Sequence, residues 1–419
     1  MLDLALFGGE PEFEKPLHVG RPNEVDERRL FERIRGALDR KWLTNDGPLA
    51  REFELLLQSF LGVDHCILVS SATVGLQLVA KALDLNGEVL VPSFTFIGTA
   101  HALAWIGLQP VCCDVEPDTH NLCPADVLRK ATARTSAILG VHLWGRPCNI
   151  EELEKAAAEI NVPLFFDAAH AIGCTYKAQP LAQFGAAAVF SLHATKCIMA
   201  LEGGIVTTND SQLAQQIRLM RSFGFSGEDT ITALGINAKM DEFSAAMGLT
   251  SLESYSGLRE HNKKIHAVYR DNLEIVPGVR FLLPPSGENW NYHYAIVELV
   301  AEPPGWRDVL HQILQAENVL ARRYFSPGIH RSYPYCLTAP AAKLNASEKL
   351  ADTVLALPTG TQMDTRAAGR VADLIRFCQA NRDLIRKSRQ GTPAVDGEEL
   401  KGAKFGPSVT EFPGRPGGL

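Results

Sequence analysis

An alternation of apolar runs with helical stretches constrains this chain more than any other feature. From about residue 45 to residue 208, short, almost purely apolar runs are separated by segments with helical periodicity. The runs are CILVS (66–70), EVLVP (88–92), PVCCDV (110–115), SAILGVHL (136–143), VPLFFDAA (162–169), residues 187–192 and GGIVTTN (203–209). Helical patterns fill the gaps through Leu83, from Ile97 to Trp105, from Pro124 and from Asn149. A strand with no polar alternation is covered on both sheet faces, which is the condition of parallel sheets crossed by helices. The segment therefore predicts an α/β architecture with a mostly parallel central sheet and helices on both faces.

A different texture follows. A helical pattern over Arg259–Leu273 comes after Ser256 and Gly257, and strands are expected at 279–283, 292–299 and 319–325. Further helices are expected near Trp306–Asn318 and Asp364–Lys387. This reads as a large α/β domain over 1–255, N-terminal segment included, and a smaller α+β domain over 256–387. Residues 388–419 are rich in Gly, Pro and charge and are expected to be a mobile tail.

Composition narrows the class. With 41 basic and 48 acidic residues the net charge is -7, which offers no electrostatic footprint for nucleic acid. No apolar stretch approaches the ~20 residues of a membrane span, and the N-terminus lacks the basic and apolar regions of a signal peptide. Nine scattered cysteines form no CxxC pair. Buried free thiols in a reducing, cytoplasmic setting account for them better than disulfides or a zinc site.

In doubly wound sheets, ligands bind beyond the carboxyl ends of the strands. Four unusual segments fall there: 70–73, 92–96, 167–170 and 191–196. Lys196 lies among Ala194, Thr195, Cys197, Ile198 and Met199, where partial burial lowers an amine's pKa and makes it a usable nucleophile. On local sequence alone, a loop lysine carrying its amine to water is the more economical reading. Asp167 ends a buried strand, where a carboxylate needs a partner, either a cationic ring nitrogen or a local backbone cap. Ser70-Ser71-Ala72-Thr73-Val74-Gly75 joins a strand to a helix, and a helix N-terminus lined by small residues suits a phosphate. No Walker loop and no GxGxxG after an early strand are present. Together these features suit pyridoxal 5'-phosphate, which needs an amine, a carboxylate for its pyridinium nitrogen and a phosphate site. Phe94 or Phe96 would supply a flat surface for the ring, although core packing explains either one.

The ordered set SSATVGL, VPSFTF, FDAAHA, FSLHATK, LEGG and GINAKM resembles the DegT-type (DegT/DnrJ/StrS) nucleotide-sugar aminotransferases over about residues 5–385. That resemblance implies a fold-type I, aspartate-aminotransferase-like enzyme. By motif, Lys196 corresponds to the Schiff-base lysine and Asp167 to the pyridinium partner. His170 falls near the cofactor's phenolic oxygen, Ser191, Ala72 and Thr73 at its phosphate, and Phe96 on its ring. Asn237 corresponds to an Asn that reaches the phosphate of the neighbouring subunit, which implies a homodimer with shared active sites. One position departs: Ala72 stands where many members carry Gly, which has greater backbone freedom. A dehydratase branch with His in place of the lysine is disfavoured by Lys196.

The family resemblance also implies L-glutamate as amino donor, pyridoxamine 5'-phosphate in the half-reaction, and a place in deoxyamino sugar biosynthesis. LHVGRPN and RRYFSPGIHRSYPY resemble the branch that aminates C-4 of dTDP-4-keto-6-deoxy-D-glucose. Tyr324, Phe325, Tyr333 and Tyr335 are candidates to stack on a base or sugar, Arg322, Arg323 and Arg331 to meet a diphosphate, and His330 to touch the sugar. Solvated arginines and packed aromatics are the competing explanation, and His142 reads as a satisfied core histidine. The alternatives are a C-3 aminotransferase acting on a 3-keto sugar, another fold-type I reaction, and a non-catalytic regulator. A desulfurase would need an activated loop cysteine, for which Cys336 is the one loose candidate.

Overall fold

The structure is a computed structural model that describes residues 3–300, 302–337 and 343–390. Most of the tail expected over 388–419 lies outside the described residues.

Seven strands build the central sheet, in the order His65–Val69, Gly204–Thr208, Ala188–Ser191, Leu164–Asp167, Thr135–Val141, Glu88–Pro92 and Gln109–Cys113. Gly204–Thr208 runs antiparallel to both its neighbours, and the other pairs are parallel. All seven predicted runs thus become strands of one sheet. Their continuous apolarity has a direct cause: side chains alternate between faces, and both faces are buried. Phe166 and Ile205 pack in one core with Phe53, Leu57 and Leu249. Their neighbours Phe165 and Val206 pack in the opposite core with Val79, Leu103 and Ile217. Burial of a Phe or Leu side chain contributes about 1.5–3 kcal/mol, so the double-sided pattern strongly favours this arrangement.

A second sheet of three antiparallel strands, with Ala295–Leu299 between Val279–Phe281 and Val354–Leu357, packs under helices Trp306–Ala316 and Thr365–Ala380. Several expectations need correction here. The strand Val354–Leu357 was not anticipated. The segment 319–325 is a strand only at Val319–Leu320, which pairs in parallel with Leu17–His18, and Arg322 adds a single antiparallel bridge to Ala356. Leu4 and Phe13 lie in the core of this second unit, and Glu317 accepts from the Ala5 and Glu12 N–H groups at 2.7 Å each. By packing, the first residues of the N-terminal segment go with the smaller unit, not the larger. The helical pattern over 364–387 is broken at Asn381 into Thr365–Ala380 and Arg382–Gln390.

Residue 255 is not a break. A 32-residue helix, Glu242–Leu273, crosses it. Asp241 caps its start by accepting from the Phe243 and Ser244 N–H groups. Leu249, Tyr255 and Leu258 pack in the first core, whereas Ile265, Tyr269 and Leu273 pack in the second. Gly257 costs such a helix about 1 kcal/mol, which contacts at both ends outweigh. All nine cysteines are free thiols. Among the described residues, no helix is long and apolar enough to cross a membrane.

Candidate active site

Asp167 is the last residue of its strand, at the carboxyl edge of the sheet. One carboxylate oxygen accepts from the Thr99 hydroxyl at 2.8 Å and the other from the Ala169 N–H at 3.0 Å. The second bond is a local Asx turn, so the backbone-cap reading holds for one oxygen while the first oxygen bonds to a different helix. Burial pushes the carboxyl pKa up; Thr99, Ala169 and the charge of Lys196 work against that shift.

Lys196 follows the neighbouring strand Ala188–Ser191. Its backbone is tied by its N–H to the His193 carbonyl and by its own carbonyl to the Asn23 side chain. The amine does not run out to water. Nζ donates to the Tyr294 hydroxyl at 3.1 Å and lies 5.6 Å from the centre of that ring. Burial brings its pKa down from 10.5 to about 8, against an upward pull from Asp167. An amine that titrates near neutrality is available as nucleophile and base.

An aromatic wall stands beside these groups. His170 lies 4.4 Å from Tyr294 and is stacked at 5.7 Å on Trp144. Phe325 is nearly parallel to Trp144 at 5.4 Å and stacks on Tyr324 at 4.9 Å. Burial holds His170 well below its usual pKa, so its ring is neutral, and its Nδ1 accepts from the Trp144 N–H. Trp144 is fully buried with φ 61°, a left-handed conformation that costs a bulky residue roughly 1–3 kcal/mol. Bonds from its indole N–H to His120, and to its carbonyl from Trp290, hold it there.

The phosphate turn is regular. Ser71 is extended and its hydroxyl accepts from the Val74 N–H, starting the helix Ala72–Ala82. That cap leaves the first-turn N–H groups of Ala72 and Thr73 facing outward. Ala72 is helical, with no left-handed φ, so the departure from Gly costs no strain. The tight contact falls to Gly204 instead, where a Cβ would meet the Ala72 nitrogen at 2.6 Å. Ser191 is half-buried at the end of the adjacent strand.

Phe96 is 58% exposed and tilts toward Phe325 at 6.2 Å, whereas Phe94 is fully buried against Trp144 and His120, so the core explanation holds for Phe94. Asn237 is exposed and accepts from Lys239 Nζ. Tyr324 and Phe325 join the wall. His330 and Arg331 are engaged elsewhere. The Ser93 hydroxyl and Glu348 take the two ring nitrogens of His330 at 2.5 and 3.3 Å, and Arg331 pairs with Glu348 at 2.6 Å. A ring so engaged has no free donor for a sugar hydroxyl. Arg323 pairs with Asp308, the Tyr335 hydroxyl meets His101, and Tyr333 is exposed. His142 is a core histidine stacked on Phe166, but only Nδ1 is satisfied: its Nε2 has no partner among the described residues. Burial brings its pKa down to about 3.

Sequence reasoning missed Thr99, Trp144 and Tyr294. Tyr294 sat inside YHYAIVEL, where strand alternation hid it, and the strand begins only at Ala295.

A sequence profile described as the DegT/DnrJ/EryC1/StrS aminotransferase family matches residues 24–376. The chain belongs to the DegT/DnrJ/EryC1/StrS aminotransferase family. This aminotransferase is 32% identical over 365 residues to the dTDP-4-amino-4,6-dideoxy-D-glucose transaminase of Escherichia coli, covering 86% of this chain and 98% of that one. The Shigella dysenteriae protein of the same name is 31% identical, covering 87% and 99%. Among solved structures, DesI in the presence of its TDP-sugar product superposes with TM-score 0.88 at 48% identity, covering 92% of this chain and 99% of DesI. As a family member the enzyme depends on pyridoxal 5'-phosphate. The donor set fits that group: an amine titrating near neutrality, a buried carboxylate, the start of an 11-residue helix, and the Gly204 contact that lets this helix start meet the sheet edge.

Proposed function

We propose that this enzyme aminates C-4 of dTDP-4-keto-6-deoxy-D-glucose, with L-glutamate as donor. The observation that carries the chemistry is the half-buried Lys196 amine, bonded to the Tyr294 hydroxyl at 3.1 Å and within electrostatic reach of the buried Asp167 carboxyl. The sugar is supported by the activity for which the E. coli and S. dysenteriae relatives are named and by DesI, each matched over nearly its whole length.

In this reading Lys196 would hold the cofactor through its amine. Pyridoxal 5'-phosphate supplies, when bound, a ring that draws off the negative charge left on the donor's α-carbon. When not covalently engaged, Lys196 Nζ would serve as the base that takes a proton from that carbon and as the acid that later returns it. Asp167 would hold the cationic ring nitrogen, whose charge would offset the burial that otherwise pushes the carboxyl pKa up. Ala72, Thr73 and Ser191 would hold the phosphate, and His170, Trp144, Tyr324 and Phe325 would exclude water. A panel of nucleotide-linked 3-keto and 4-keto sugars, with glutamate and mass detection of product, tests the assignment. The 4-keto-6-deoxy sugar should gain one amino group, and amination of a 3-keto sugar in its place would refute it.

The reading includes a homodimer with shared sites. Phe31 and Leu55, on the first two helices, are 62% and 67% exposed, and Ile231 and Leu234, near Asn237, are 64% and 91% exposed. In this reading these side chains would be covered by the second copy, and Asn237 would cross to the partner's phosphate. Light scattering should give the mass of two chains. Leu55→Asp combined with Leu234→Asp should yield monomer with activity reduced at least about tenfold. A monomeric, fully active native enzyme would rule out shared sites. Nine free thiols support a cytoplasmic location.

A further inference from the structure

We infer that Tyr294 is a positioning residue for Lys196, its phenol oxygen holding the lysine amine in one place whenever that amine is not covalently engaged. The inference rests on the reading of Lys196 as the cofactor lysine. Among the described residues, Tyr294 is the hydrogen-bond partner of Nζ, at 3.1 Å. The tyrosine is itself immobile. It is 7% exposed, and its ring is wedged between Trp144 at 5.3 Å, His170 at 4.4 Å and His293 at 4.4 Å. It immediately precedes the strand Ala295–Leu299, whose Ala295 pairs with Leu357, so its hydroxyl reaches out of the smaller unit to a lysine of the larger one.

A free lysine amine on a four-carbon stem has many rotamers. A fixed acceptor removes most of them and leaves the amine aimed. The other ionisable groups around it are Asp167, Tyr324, Cys197, His170 and His293. Burial keeps both histidines neutral and keeps the tyrosine and the thiol protonated. Asp167 contributes charge at a distance, and Tyr294 contributes the directed bond.

The test compares apoenzymes. Wild type, Tyr294→Phe and Tyr269→Phe are acetylated with acetic anhydride across a pH series, and Lys196 modification is followed by peptide mass spectrometry. The control Tyr269 is also buried, but its hydroxyl bonds the Pro358 carbonyl, away from the lysine. The wild-type midpoint should lie near pH 8. In Tyr294→Phe the ring face remains but the ammonium loses its oxygen acceptor, so the midpoint should fall by about one unit. Tyr269→Phe should not move it. In the holoenzyme kcat should drop about tenfold with KM for glutamate held within about twofold. A folded Tyr294→Phe with an unmoved midpoint overturns the inference. Should that variant fail to fold, 3-fluorotyrosine placed at 294 is a weaker acceptor of nearly the same shape. It should move the midpoint in the same direction, and no movement overturns the inference equally. Borohydride trapping of pyridoxal phosphate separates the two levels. A label on Lys196 with an unmoved midpoint sinks the role of Tyr294 alone, and no label on wild-type Lys196 sinks the cofactor-lysine reading with it.

Discussion

Lys196→Ala is expected to lower turnover at least about 10⁴-fold and to abolish covalent retention of pyridoxal phosphate. Alanine removes both functions proposed for the amine, the covalent hold and the proton transfer, and among the described residues Lys196 is the lysine whose charge acts on Asp167. Lys130 donates to the Cys112 carbonyl and Lys239 to Asn237. The backbone there is anchored independently of the side chain by its bonds to His193 and Asn23, so the variant should fold. A second readout follows from the amine's titration. Its folded pKa, about 8, lies below the 10.5 of an unburied lysine. Between those values the unfolded chain binds more protons than the folded one, so stability contributed by this residue rises with pH across that window. Chemical denaturation at pH 7.5 and at pH 10 should show this rise in wild type and a smaller one in Lys196→Ala. Turnover within tenfold of wild type, or pyridoxal phosphate still covalently bound, would end the assignment.

Asp167→Asn should cost roughly 10²–10³ in kcat, the usual loss when one directed electrostatic partner is removed. The substitution preserves shape: an Asn oxygen still accepts from the Ala169 N–H, and its NH2 donates to the Thr99 hydroxyl, which turns from donor to acceptor. The negative charge goes, and the acceptor facing Thr99 becomes a donor. Covalent attachment at Lys196 should therefore survive while turnover collapses, the opposite pattern to the lysine variant for retention of the cofactor. The Lys196 midpoint should also move below about 8, because Asp167 is the largest influence raising it. Steady-state kinetics and the same acetylation series measure both. A kcat within about threefold of wild type would remove Asp167 from the chemistry.

The chain's own pattern foretold the central sheet well, because each buried strand carries its burial on consecutive residues, as Phe165 and Phe166 do on opposite faces. It also placed Lys196, Asp167 and the 71–73 turn at strand ends, since chemistry-bearing residues interrupt apolar runs visibly. The smaller unit was less legible. Its strands are short, one of them, Val354–Leu357, went unread, and its core recruits Leu4 and Phe13 from the other end of the chain.

Periodicity thus determined the layered architecture, and motif order picked out candidates for the amine, the carboxylate and the helix start for a phosphate, because those signals are written within short segments. Tertiary structure alone decided which groups complete them. Tyr294 meets Lys196 across 98 residues, and His330 is claimed by Ser93 across 237. Contacts closed over such loops leave no local trace, since the free energy that selects them comes from packing the two units together and not from the preferences of either segment.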